Sequence, residues 1–128
     1  MRGERPVKRA ILLIDHGSRR AEANALLEDV ADQVRRRAPE SIVEVAHMEI
    51  AEPDIGEGIE TCVEKGATHI IVHPFFLGPG RHASEDIPAQ VERAGQRHPN
   101  VRIRISEPLG SHAALIDVIL DRVSDVDR

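Results

Sequence analysis

Four times along the 128 residues, a short apolar run gives way to a stretch whose apolar side chains recur every three or four positions. Ala10-Ile11-Leu12-Leu13-Ile14 contains no polar residue, the pattern of a strand buried on both faces. After His16-Gly17-Ser18-Arg19-Arg20, the residues Ala23, Leu26, Leu27, Val30, Ala31, Val34 and Ala38 share one face of a helix, which Pro39 ends. Ile42, Val43, Val45 and Ala46 predict a second strand; Ile55, Ile59, Cys62 and Val63 predict a second helix closed by Gly66. Ile70-Ile71-Val72 anchors a third strand, and Ile87, Val91 and Ala94 mark a third helix. Val101, Ile103 and Ile105 alternate with arginines, as on a half-exposed edge strand, and Leu115, Ile116, Ile119, Leu120 and Val123 outline the last helix.

Strands and helices alternating through short links build an α/β domain, a parallel sheet with helices on both faces. The expected architecture is one domain over residues 9–124, with four parallel strands in the flavodoxin-type order 2-1-3-4. Residues 1–8 read as a frayed tail and 125–128 as another. Gly56 and Gly58 each cost the second helix about 1 kcal/mol relative to Ala. They are either weak spots near a helix start or places where a backbone or a second subunit packs closely.

Composition removes several functional classes. A formal charge of -5 disfavours non-specific nucleic-acid binding. The single cysteine, Cys62, excludes an internal disulfide and any multi-cysteine metal site. The N-terminal region is charged, and its apolar run is shorter than the stretch of about 7–15 residues a secretory signal needs, or the roughly 20 of a membrane span. A cytoplasmic protein with no membrane partner is expected.

In the order 2-1-3-4 the strand order reverses between strands one and three, and open parallel sheets bind ligands beyond the strand ends at that point. His16 follows strand one directly, and Leu77-Gly78-Pro79-Gly80-Arg81-His82 follows strand three. The end of strand two delivers His47, Glu49 and Glu52 to a neighbouring edge. Two imidazoles and a carboxylate suit a borderline divalent ion such as Fe²⁺, Co²⁺ or Ni²⁺. Imidazole, with a reference pKa of about 6.5, is also a base near neutrality. Arg19, Arg20 and Arg81 make the mouth locally cationic, which fits a ligand bearing several carboxylates.

Each of these features also has an ordinary structural explanation. Taken singly, both histidine motifs are common turns. Glu49 reads equally as a solvated loop carboxylate, and Glu52 as an aid to the helix start. His69, His73, His98 and His112 take ordinary places at a strand start, a strand interior, a helix C-terminus and a helix cap. Phe75 and Phe76 point to opposite faces if extended, one into the core and the other free to meet a flat ligand.

Five segments occur in fixed order: Ile14-Asp15-His16-Gly17-Ser18-Arg19-Arg20, Ala46-His47-Met48-Glu49-Ile50-Ala51-Glu52-Pro53, Pro74-Phe75-Phe76-Leu77-Gly78-Pro79-Gly80-Arg81-His82, Asp86-Ile87-Pro88 and Pro108-Leu109-Gly110-Ser111-His112. Together they resemble the small CbiX/SirB family of class II chelatases, the sirohydrochlorin ferro- and cobaltochelatases. The resemblance runs from about Ala10 to Val123.

It implies a lyase with sirohydrochlorin and a divalent metal ion as substrates and no permanent cofactor. By the same resemblance, His16 is metal ligand and proton acceptor, and His82 is the second metal ligand. Glu52, Leu77, Gly78, Pro79, Gly80, Arg81 and His82 match positions associated with the tetrapyrrole, and Glu49 matches an acidic position of the site. Longer members carry two such domains, so the resemblance is to the short form, which works as a homodimer. The chain lacks the histidine-rich tail of many cobalt-pathway members, and Asp15 stands where cobalt-type members often have glycine. Both features favour iron. The competing readings are a non-catalytic metal or tetrapyrrole carrier, and a histidine phosphatase. The latter usually has Arg directly before its histidine, where this chain has Asp15.

Overall fold

The structure is a computed structural model that describes residues 6–78 and 80–127, the side chain of His82 excepted. Strands β1 (Arg9–Asp15), β2 (Ile42–His47), β3 (His69–Pro74) and β4 (Arg102–Ile105) alternate with helices α1 (Ala21–Arg37), α2 (Ile55–Glu64), α3 (Arg81–Gly95) and α4 (Ala113–Val126). All four strands run parallel in the order β2-β1-β3-β4, as expected.

Pairing is in register, Leu12 standing beside Glu44 on β2 and Val72 on β3. Alternate residues therefore serve opposite faces. Leu12, Ile14, Ile70 and Val72 enter the larger core beneath α2 and α3, with Ile55, Ile59 and Ile87. Leu13 and Val43 pack under Leu27 and Ala31 of α1 on the other face. Burying each large aliphatic of this kind contributes about 1.5–3 kcal/mol.

Helix boundaries follow local chemistry. Pro39 disfavours helical backbone at Ala38, whose φ of −130° closes α1. Asp54 caps α2 in a reciprocal capping box with Glu57. Gly66, at φ 98°, ends α2 as its sequence position indicates. At Gly58 the close-packing alternative is the one found. A Cβ there would lie 2.9 Å from both Ala46 Cβ and Leu12 Cδ1, so the missing side chain lets α2 press onto β1 and β2.

At the N-terminal end, residues 1–5 lie outside the described residues. Lys8 is already tied down, its N–H donating to Thr68 Oγ1 at 2.9 Å and its Nζ to the Glu40 carbonyl at 3.1 Å. At the other end α4 continues to Val126, but none of its residues is buried. Among the described residues, no helix is long and apolar enough to cross a membrane.

Candidate functional site

The carboxyl ends of β1, β2 and β3 carry three loops that are bonded to one another. His16 leaves β1 at the point of strand reversal, exposed to solvent, with its ring stacked on Phe76 at 4.7 Å between centroids and 25° between planes. The stacking fixes the plane of the imidazole. Behind it, the Ser18 N–H donates to Asn24 Oδ1 and Asn24 Nδ2 donates to the Ser18 carbonyl, which clamps the loop to the first turn of α1.

The loop after β2 is strapped to the same place. The Met48 N–H donates to the Asp15 carbonyl at 2.8 Å and the Glu49 N–H to the His16 carbonyl at 3.1 Å. Only a glycine permits this approach. Gly17 has φ 93°, and a Cβ there would lie 1.8 Å from the Glu49 carbonyl oxygen. Ile50 takes φ 73° as the strap turns away, with the Ala51 N–H donating back to the Glu49 carbonyl. Glu49 and Glu52 are both exposed at the rim.

One pair at the site was not singled out from sequence. His47 is 3% exposed, and its Nδ1 lies 2.5 Å from Asp15 Oδ1. An ionised carboxylate can only accept, so Nδ1 carries the shared proton. The pair joins the residue before His16 to the end of β2. No local sequence signal marks it, since Asp15 and His47 meet only as the last paired residues of β1 and β2.

The third loop follows β3. The Phe75 N–H donates to the Ile14 carbonyl at 2.6 Å, and the two phenylalanines then part: Phe75 packs in the α1 core and Phe76 against the α2–α3 core and His16. Beyond Phe76 an apolar cavity of ≈ 130 Å³ is bounded by Pro74, Ile87, Pro88, Ile105 and Pro108. Leu77, Gly78 and Gly80 are exposed, and Gly80 is the N-cap of α3. Arg81, the first residue of α3, is exposed, as are Arg19 and Arg20. Pro79 lies outside the described residues, as does the imidazole of His82, whose backbone occupies the second position of α3.

Topology thus sets the α3 N-terminus and the His16 loop on the same end of the sheet. Among the described residues, no group of three or more His, Cys, Asp and Glu side chains converges as a metal cage. A larger groove of ≈ 300 Å³ lies between α2 and α3, lined by Glu57, Arg93 and Arg97, and includes none of the residues named at the strand ends.

The remaining histidines take the structural places expected of them. His73 is half-buried on β3, its Nδ1 2.8 Å from Ser106 Oγ, and burial pulls its pKa below the usual value despite an opposing backbone hydrogen bond at Glu107. His98 meets Glu60 at 3.2 Å. His112 caps α4, its Nδ1 accepting from the Ala114 N–H.

Comparison with known proteins gives the following. The family model described as CbiX matches residues 10–126. A chloroplastic sirohydrochlorin ferrochelatase from Arabidopsis thaliana is 43% identical over 113 residues, covering 88% of this chain and 50% of that protein. The sirohydrochlorin chelatase SirB from Bacillus subtilis subspecies spizizenii, solved in complex with cobalt, superposes with TM-score 0.86 at 34% identity, covering 94% of this chain and 51% of that one. A CbiX protein from Marinobacter aquaeolei gives TM-score 0.79 at 32% identity, covering 91% of this chain and 95% of that one. The chain therefore spans about half the length of the first two relatives and nearly all of the third.

Proposed function

The chain belongs to the CbiX family, and we propose that it is a sirohydrochlorin chelatase, inserting a divalent metal ion into the tetrapyrrole. Fe²⁺ is the favoured substrate ion and Co²⁺ the next, with Ni²⁺ compatible with the same donors. One observation carries the reading: an exposed imidazole, His16, sits at the switch point of a parallel sheet, held flat against Phe76 and beside the strapped Glu49 loop. The relatives' names, one a ferrochelatase and one a chelatase with cobalt, support both ions.

Insertion exchanges one M²⁺ for two pyrrole protons. His16 and His82 hold the incoming ion and strip part of its water. A metal-bound imidazole cannot take a proton, so His16 accepts one of the two only after the ion has passed to the ring, or Glu49 accepts it instead, and the other leaves to solvent. A positioned base of this kind is worth about 10²–10⁴-fold. Arg81 at the positive end of α3, with Arg19 and Arg20, holds the peripheral carboxylates. Glu52 and the stretch Leu77, Gly78, Pro79, Gly80, Arg81 and His82 surround the macrocycle, and the apolar cavity beside Phe76 accepts one edge of it. We place the enzyme in the cytoplasm as a homodimer, the second copy standing in for the other half of the longer relatives.

The test follows the absorbance of sirohydrochlorin after Fe²⁺ or Co²⁺ is added, with and without protein. His16→Ala and His82→Ala should each lose about 100-fold or more in rate with far-UV circular dichroism unchanged. Wild-type rates in both variants would remove the site assignment. Stoichiometric uptake without turnover would replace the enzyme by a carrier. Arg81→Ala should raise KM more than it lowers kcat, and competition among the three ions orders their preference.

A further inference from the structure

The strap after β2 contains a strained turn. The Ala51 N–H donates to the Glu49 carbonyl at 2.8 Å, a bond closed around a single residue, Ile50, whose φ is 73°. This is the γ-turn of positive φ, the rare and strained form. A β-branched side chain adds to the strain, because its Cβ crowds the backbone wherever φ is positive. Glycine would make the same turn freely. Among the described residues, Ile50 is the only one other than glycine with positive φ. Packing does not offset the strain, since Ile50 is 63% exposed and belongs to neither core cluster.

The turn is fixed to the candidate site. Ile50 directly follows Glu49, whose N–H is bonded to the His16 carbonyl. Leu77, 65% exposed, stands in the loop after β3. Outside α4 and the N-terminal residues, these two are the most exposed large aliphatics described. In the order β2-β1-β3, the loops that carry them lie on either side of the loop that carries His16. One exposed aliphatic means little. Two that bracket an exposed imidazole, one of them on strained backbone, make an apolar seat around it. A tetrapyrrole has the complementary chemistry, flat apolar faces with carboxylates confined to the rim. Arg19, Arg20 and Arg81 suit the rim and leave the faces to other residues.

We propose that Ile50 is a substrate-binding residue, which together with Leu77 seats the apolar face of the macrocycle over His16. The inference rests on the sirohydrochlorin reading above and adds a contact on the β2 side of the crevice. In the free protein this side chain lies in water on a strained backbone, and neither state favours folding. Covering it with the ring removes it from water, so its benefit appears only in the complex. Supported on both sides of the imidazole, the ring stays level while the ion passes from His16 to the pyrrole nitrogens.

The experiment titrates sirohydrochlorin into metal-free protein, read by the absorbance of the tetrapyrrole, and then measures Fe²⁺ insertion. Ile50→Val and Ile50→Thr have the same branching and nearly the same shape, so the turn is equally strained in both. The threonine variant should bind roughly fivefold more weakly than the valine one, with kcat at saturation within about twofold of wild type. Ile50→Gly should bind roughly tenfold more weakly while its urea midpoint rises, because the strain released exceeds the added chain entropy. A merely structural residue cannot give that opposition. Equal Kd in the wild type and all three variants overturns the contact and leaves the chelatase reading standing. A lower midpoint for Ile50→Gly would show that Ile50 supports the strap, and overturns the contact. So would an Ile50→Thr protein whose sedimenting mass differs from wild type, since a second copy would then cover the residue. A wild type that neither binds nor metallates sirohydrochlorin overturns the contact and the chelatase reading together.

Discussion

Replacing Gly17 by Ala should loosen the candidate site more than any other one-carbon change near it. The new Cβ would lie 1.8 Å from the Glu49 carbonyl oxygen, and φ 93° is itself unfavourable for a residue with a side chain. Such backbone costs about 1–3 kcal/mol. Relieving the contact means lifting the strap by more than 1 Å (ordinary contacts begin near 3 Å), roughly enough to break the bonds from Met48 to Asp15 and from Glu49 to His16. Each such bond is worth about 1 kcal/mol. The total is about 3–5 kcal/mol once the strap has detached. Detachment separates Glu49 from His16. Urea unfolding read by circular dichroism measures the first quantity, and metal insertion into sirohydrochlorin the second. Gly78→Ala is the control, because nothing lies within 4 Å of the position a Cβ would take; its stability should change by less than about 0.5 kcal/mol. A Gly17→Ala protein with wild-type stability and wild-type rate would refute the strap.

Gly58→Ala gains about 1 kcal/mol of helix propensity and loses about 1–3 to the crowding against Ala46 and Leu12, so a net loss near 1 kcal/mol is expected in the same urea assay. His73 has a folded-state pKa below its unfolded one, so its contribution to stability is complete above about pH 6.5 and is lost as pH falls through the lower folded value. His73→Gln should flatten the stability profile on the acid side. Cys62, fully buried with its pKa pushed up to about 12, should resist an aromatic disulfide reagent in the native protein and react at once in denaturant.

The alternation of strands and helices was readable because short apolar runs give way to period-3.6 patterns at each loop, and the order 2-1-3-4 because it is the common one for small parallel sheets. The parting of Phe75 and Phe76 was readable because consecutive residues of an extended chain face opposite ways. The Asp15–His47 pair was not, because pairing between strand ends depends on a register that no local pattern announces. Leu26 was placed on the buried face of α1 but is 57% exposed, since Leu27 and Ala31 alone point straight at the sheet. The apolar spacing of α4 was visible, but the direction in which it leaves the domain is set by backbone bonds from Leu109 and Gly110 to a distant loop.

The position of β1 between two parallel neighbours has one more consequence. A strand laddered on both sides opens only when the whole domain does, so amide exchange at Ile14 should be as slow as global unfolding. The imidazole that follows it is therefore mounted on the stiffest part of the molecule. Whatever enters the crevice at this end of the sheet meets, on the β1 side, a wall that does not yield.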